Sequence, residues 1–499
     1  MLLLVLTACN TPSRNTTQTG NASEGLEISE FEKYCSVEGI GTCTDTDIVI
    51  PSEYNGKPVT EIAWYAFKEC ESIVSVVIPD GVTTIGYQAF SQCTALKSVT
   101  IADSVNRMDG STFSDCTSLV TVKLSKNANF GWFDFSNCTS LVSIEIPDGV
   151  QEIGGFNGCT SLESIKIADS VREIDDSCFS RCTALKSIVL PKSLTILPNA
   201  IFEDCSNLES VTLPDALTEI RWRAFNNCSK LTTINLPNGL KQIGDSVFQN
   251  CASLPSVIIP DSVTNIGNDI FAGCTSLKSA VIGNGIESIP TRAFENCSSL
   301  ENVVIPESVY SIGDSFENCV SLVTIEIPAA TWIFNEDMFD GCHKLVEIVF
   351  NGDSKYITDS FYSKWIPYNI LEVHAGTSKI DKQGDWWFYT VGDSNYLIDY
   401  RGNDTELVLP ESYNGKTYAI NYYLFYHHTD LTDVTLSQNV TKIARYAFFG
   451  CRGLTEIHYA GTMAQWEKIE FEASWGTLYS TTRYEGVEKI HCSNGTVSR

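Results

Sequence analysis

Apolar residues return along this chain on a beat of about 23 residues. Fourteen times a Phe is followed three positions later by Cys and after three more by Leu, once by Ile. The cysteines are Cys70, Cys93, Cys116, Cys138, Cys159, Cys182, Cys205, Cys228, Cys251, Cys274, Cys297, Cys319, Cys342 and Cys451. Self-similarity at such a period marks a solenoid of stacked units, so function must be sought where units differ.

Within a unit, apolar residues stand three, six and eight places after the cysteine, as Leu96, Val99 and Ile101 do after Cys93. The last two alternate with polar neighbours, which predicts a short strand with one face inward. Proline often follows at the ninth place (Pro79, Pro147, Pro191, Pro260), where its missing N–H ends a strand. A turn leads to Val82, and Ile85, Ala89, Phe90 and Cys93 then lie at helical spacing, predicting about two turns of helix. The expected fold is thus α/β, a curved stack of short parallel strands with short helical segments on the convex side. One unit alone buries too little apolar surface to offset the cost of ordering its backbone, so stacking must stabilise it.

Residues 78–99 read IPDGVTTIGYQAFSQCTALKSV. This resembles the unit of bacterial BspA-like leucine-rich-repeat proteins, the Treponema pallidum type, over roughly residues 34–373 and 396–492. The resemblance implies a leucine-rich-repeat solenoid displayed on the cell surface, binding host extracellular proteins such as fibronectin or fibrinogen, or other bacteria. Fold does not fix the partner.

Two further units are disguised. Trp365 stands one period after Cys342, flanked by Tyr362, Tyr368, Leu371 and Val373; His428, one period before Cys451, is accompanied by Phe425, Leu431, Val434 and Leu436. Between Val373 and Tyr396 the period lapses. Beyond the lapse, Asn403 to Lys416 echoes Thr44 to Lys57, each stretch ending in the Asn-Gly hairpin signal. The expected organisation is a lipoprotein-type signal (1–9), a flexible tether (10–30), a cap hairpin (31–66), a first repeat block (67–375), an aromatic insertion (376–395), a restarted cap with a second block (396–459) and a closing cap (460–499). In the last, Thr462 is expected to cap a short helix carrying Trp466 and Ile469, and Ile490–Cys492 to form a final strand.

The opening apolar stretch ends in Leu-Thr-Ala-Cys and resembles a bacterial lipoprotein signal, with Cys9 as the lipidated residue. The basic segment that normally precedes such a stretch is missing, so either the true start lies upstream or the match is fortuitous. No later segment is apolar enough to span a membrane, which leaves the lipid as the expected membrane contact and the cell exterior as the expected location. A net charge of −28, from 61 acidic and 33 basic residues, argues against nucleic acid as a partner. Nineteen cysteines in an exported chain would suggest disulfides, but a cysteine at one fixed place per unit reads as a packed interior column of thiols. Cys35 and Cys43 fall outside that column, and a cap disulfide between them stays open; Cys178 reads as core. The Asp that recurs after the strand (Asp80, Asp103, Asp148, Asp169, Asp215, Asp261) reads as a turn residue, since calcium-loop ligand sets are absent.

Side chains five and seven places after the cysteine face the opposite side of the strand. The fifth is a ladder of hydroxyls, from Ser75 and Ser98 through Ser256 and Ser279; the seventh varies, turning apolar at Ile258, Val281 and Val304 and continuing through Glu326 to Val349. Those three β-branched residues are one candidate partner surface, and Trp386, Trp387, Phe388 and Tyr389 in the aromatic insertion are a second. No serine elbow, phosphate loop, zinc signature or Cys-His pair at diagnostic spacing appears, and no cofactor is implied. The chain therefore reads as a non-enzymatic binding protein for a protein ligand, the alternative being a carbohydrate-binding or structural scaffold of the cell envelope.

Overall fold

The computed structural model describes residues 22–127, 134–331, 333–334, 338–351, 370–374, 378–425, 428–472, 487 and 489–498. Cys9, with most of the expected tether, and Trp365, Tyr362 and Tyr368 of one disguised unit lie outside them. The chain forms two compact units, Met1–Asp175 and Asp176–Arg499, each a parallel β-solenoid.

In the first unit, strand Ser75–Ile78 pairs in parallel with Asp47–Val49 on one side and Ser98–Ile101 on the other, and Ser98–Ile101 pairs with Thr121–Lys123. Val76 and Ile78 are buried while Ser75 and Val77 are half-exposed, so the alternation read from the sequence holds. Each coil also carries a second, two-residue strand: Thr84–Ile85 pairs with Lys57–Ile62 and with Arg107–Met108. The cap opens earlier than expected. Glu27–Glu30, assigned to the tether, is a strand antiparallel to Cys35–Gly39. Asn55 and Gly56 adopt φ of 49° and 76°, the double left-handed turn that closes a tight hairpin.

The helical segments expected on the convex side are not there. Among the described residues the only α-helix is Met463–Trp466, with Thr462 at its N-cap and the Gln465 side chain accepting the Thr462 backbone N–H. The reason is visible around Cys93. Gln88 and Gln92, five and one places before it, have φ of 54° and 62°, and the same two places are left-handed at Arg223 and Asn227 before Cys228. Residues in that conformation interrupt an α-helix. The turn-side N–H groups bond across coils instead: Gln88, Phe90 and Gln92 donate to the carbonyls of Gly110, Thr112 and Ser114 of the next coil. A backbone whose donors go to the next coil cannot also close bonds four residues back.

In the second unit the pattern continues through Ser187–Val189 and Ser210–Thr212, then through the three-stranded sheet of Ser256–Ile258, Ser279–Val281 and Asn302–Val304. Residues Trp386–Val391 and Ser394–Tyr400 form an antiparallel hairpin, and Ser394–Tyr400 pairs in parallel with Tyr418–Ile420. The aromatic segment is therefore not an insertion between blocks. It is the opening hairpin of the second cap, built as Glu27–Glu30 and Cys35–Gly39 build the first. His428 takes the cysteine's place in its coil, its N–H bonding the Phe425 carbonyl and its carbonyl accepting from Leu431.

Two columns run through the core. Phenylalanine rings stack coil on coil, at 5.4 Å between Phe225 and Phe248 and 5.5 Å between Phe248 and Phe271. Beside them thiols of the column donate to the Phe carbonyl of the preceding coil: Cys228 to Phe202, Cys274 to Phe248 and Cys297 to Phe271, all at 3.1 Å. The described cysteines are free thiols, Cys35 and Cys43 included, and all but Cys43, Cys70 and Cys492 are buried. Burial pushes the thiols of Cys205 and Cys274 up to about 12.

Candidate binding surface

Strand alternation puts the variable column on the solvent side of the sheet. Ile258, Val281 and Val304 lie directly opposite one another in register and are 67%, 39% and 48% exposed. With strands about 4.8 Å apart, they form one continuous apolar strip. Ser256, Ser279 and Asn302 run parallel to it, also in register, so a polar row borders the strip. In the first unit the same column turns charged at Lys123, Glu145 and Lys166, Glu145 pairing with Lys166 on the adjacent strand.

The column does not stay open to Val349. Strand Glu347–Phe350 is buried along its whole length, Val349 included, because later chain folds over it. The buried Glu347 carboxylate accepts from the Ser378 hydroxyl and from the Lys379 backbone N–H at 2.7 Å.

The aromatic candidates are committed to internal contacts. Phe388 is fully buried in the second block's core with Leu397, Tyr413 and Tyr418; Tyr389 is fully buried with Val323, Val346 and Ile398. Neither can meet a partner. Trp386 and Trp387 are half-buried: the Trp386 ring lies 4.4 Å from that of Tyr400, and the Lys382 and Arg401 cations lie over the Trp387 ring at 4.2 and 4.7 Å.

Those contacts belong to a charge network that sequence reasoning missed. Asp399, fully buried on the second strand of the hairpin, is paired with Lys344 at 2.7 Å and with Arg401. Arg401 continues to Glu301 at 2.9 Å and to the Ser321 carbonyl at 3.2 Å. Glu301 immediately precedes the strand of Val304, so the second cap is fastened beside the apolar strip. The only sequence signal was an Asp in an otherwise apolar strand, Tyr396 to Tyr400.

Titratable groups elsewhere are arranged as structure. Two of the Asp residues after the strand bond the next coil: Asp103 accepts the Lys126 N–H and Asp261 the Asn284 N–H at 2.9 Å. His491 lies 2.7 Å from Glu456 and His458 3.2 Å from Asp433, on neighbouring strands. No cluster of three metal-ligating side chains occurs among the described residues, and no described helix is long and apolar enough to cross a membrane.

Residues 42–155, 154–278, 264–390 and 415–492 match the BspA type leucine rich repeat region. The chain is similar to a leucine-rich repeat protein from Bacteroides ovatus, 24% identical, with 90% of this chain and 98% of that one aligned at a TM-score of 0.58. It is also similar to a leucine rich cell surface protein from Faecalibacterium prausnitzii, 21% identical over 92% of this chain and 100% of the other, at a TM-score of 0.42. No curated protein matches it.

Proposed function

We propose, since the chain belongs to the BspA-type leucine-rich-repeat family, that it is a non-enzymatic binding protein of the bacterial surface that holds a protein ligand on its solvent-facing strands. The observation that carries this reading is the in-register strip of Ile258, Val281 and Val304, exposed on a rigid sheet and bordered by hydroxyls and amides. Exposed apolar groups of this kind are the part of a surface that gains most from being covered by another protein. The class of ligand is an extracellular protein, of a host matrix or of another cell, with an apolar patch ringed by polar groups. Display at the surface is supported by the Leu-Thr-Ala-Cys stretch, with Cys9 carrying the lipid and the Thr-, Asn- and Ser-rich stretch just after it acting as the tether.

The test is capture of matrix proteins by the purified chain, run beside the double substitution Ile258→Asp and Val281→Asp. A protein retained by the parent and lost by the variant supports the reading. Equal retention by both removes the strip from it. Palmitate labelling of cells producing the parent or Cys9→Ser tests the anchor, which fails if both or neither take up label.

A further inference from the structure

We propose that the groove around Trp222, on the short-strand side of the second unit, is a separate binding site for a neutral oligosaccharide. The groove holds about 590 Å³, within the range of small-ligand sites. One wall is the in-register row Glu219, Gln242 and Asn265 at the starts of three parallel two-residue strands. The other wall is the column six places before the cysteine: Asn199, Trp222, Asp245 and Asn268.

Trp222 gives that column an exposed aromatic ring, as Trp64 does six places before Cys70 in the first unit. In two coils a carboxylate there fastens the next coil: Asp176 accepts the Asn199 N–H at 2.9 Å and Asp245 the Asn268 N–H at 2.7 Å. An indole has no acceptor and cannot repeat this bond. Its coil forgoes a coil-to-coil link and instead leaves a large ring 46% exposed, its orientation set by the Arg223 guanidinium 5.3 Å from the ring centre. Beside it the floor is bare backbone. A Cβ on Gly244 would come within 2.6 Å of the Trp222 amide nitrogen, and one on Gly267 within 2.3 Å of that of Asp245.

An exposed flat ring above bare backbone, ringed by amides, suits a pyranose. The sugar's C–H face packs on the indole, and its hydroxyls, each donor and acceptor, pair with Gln242, Asn265 and Asn268. Charge points the same way. Among the described residues lining the groove the one cation, Arg221, is held by Glu219 at 3.1 Å and is not free to select an anion. Four coils at about 4.8 Å each give a floor of about 15 Å, which favours a short chain over a single sugar.

The test is binding of the full chain to an array of neutral oligosaccharides, with calorimetry on whatever is retained. Trp222→Ala should weaken binding about tenfold or more, and Gln242→Ala, at an exposed position, by a few-fold. Ile258→Asp with Val281→Asp should leave it unchanged, which separates this site from the strand face. Retention of no neutral glycan overturns the proposal, as does binding that survives both groove substitutions. A glycan lost with the strand-face variant alone overturns it too, by placing the ligand there. Should Trp222→Ala alter the far-ultraviolet circular dichroism, Gln242→Ala carries the test.

Discussion

The thiol of Cys228 lies 3.1 Å from the carbonyl oxygen of Phe202, in the preceding coil, and that oxygen also accepts the backbone N–H of Cys205 at 3.1 Å. A carbonyl has two lone pairs, and here the second is taken by sulfur. The repeated cysteine is thus a small apolar residue that also carries a donor. Cys228→Ala should cost about 1–2 kcal/mol through the lost bond and the small void. Urea titration with hydrogen exchange read in the coils around Cys228 measures it; a change within error would make the thiol mere filler.

Alkali should unfold the chain through the same column. Thiols ordinarily near 9.0 are pushed by burial to about 12 at Cys205 and Cys274. Below pH 9 folded and unfolded chains both hold these protons and the thiols contribute no pH dependence. Between about 9 and 12 the unfolded chain releases them first, so stability falls, by about 1.4 kcal/mol per pH unit for each fully shifted thiol. Thiolate absorbance at 240 nm should therefore rise together with loss of ellipticity. A rise near pH 9 too large for the thiols outside the core, with ellipticity intact, would contradict the burial argument.

Gly273 offers a test with opposite signs. It has φ of 76°, and a Cβ there would lie 2.2 Å from the Asn250 side-chain oxygen. Gly273→Ala should destabilise by about 1–2 kcal/mol. Were the segment helical, the same change would stabilise by about 1 kcal/mol. The shift in urea midpoint decides between them.

Removing the fully buried Asp399 leaves Lys344 and Arg401, both half-buried, without their shared carboxylate. Asp399→Ala should cost about 3 kcal/mol or more. Hydrogen exchange should quicken first in Trp386–Tyr400. Uniform quickening along the chain would mean that the pair does not fasten the cap locally.

Much of this was legible before any coordinates. The strands and their facing followed from alternation, which is why Ile258, Val281 and Val304 stand exposed as read. The turn side misled because Val82, Ile85 and Ala89 are spaced as a helix would space them. The opposing signal sat one place before most of the cysteines, where Asp115, Asn227, Asn250, Gly273 and Asn296 are residues that tolerate left-handed backbone. The aromatic hairpin looked foreign because Trp386–Tyr389 shares no residue type with Glu27–Glu30. Yet Tyr389 and Glu30 each stand 25 residues ahead of their Asn-Gly turn, and spacing was the better guide. The burial of Val349 and the ties of Arg401 depend on chain returning from far along the sequence, which no local pattern encodes.

The one-way bonding of the turns has an electrical consequence. Peptide dipoles of about 3.5 D lie head to tail from coil to coil there, three to most coils, while bonds beside the short strands, such as Gly86 to Ile62 and Asp109 to Ile85, run the opposite way. The turn N–H ends point towards the later coils, whereas those of an α-helix point to its N-terminus. The turn side of each unit thus has its own polarity along the stacking direction, and the oppositely directed bonds beside the short strands offset it, so the stack gains cohesion from both sets without the charged ends of a long helix.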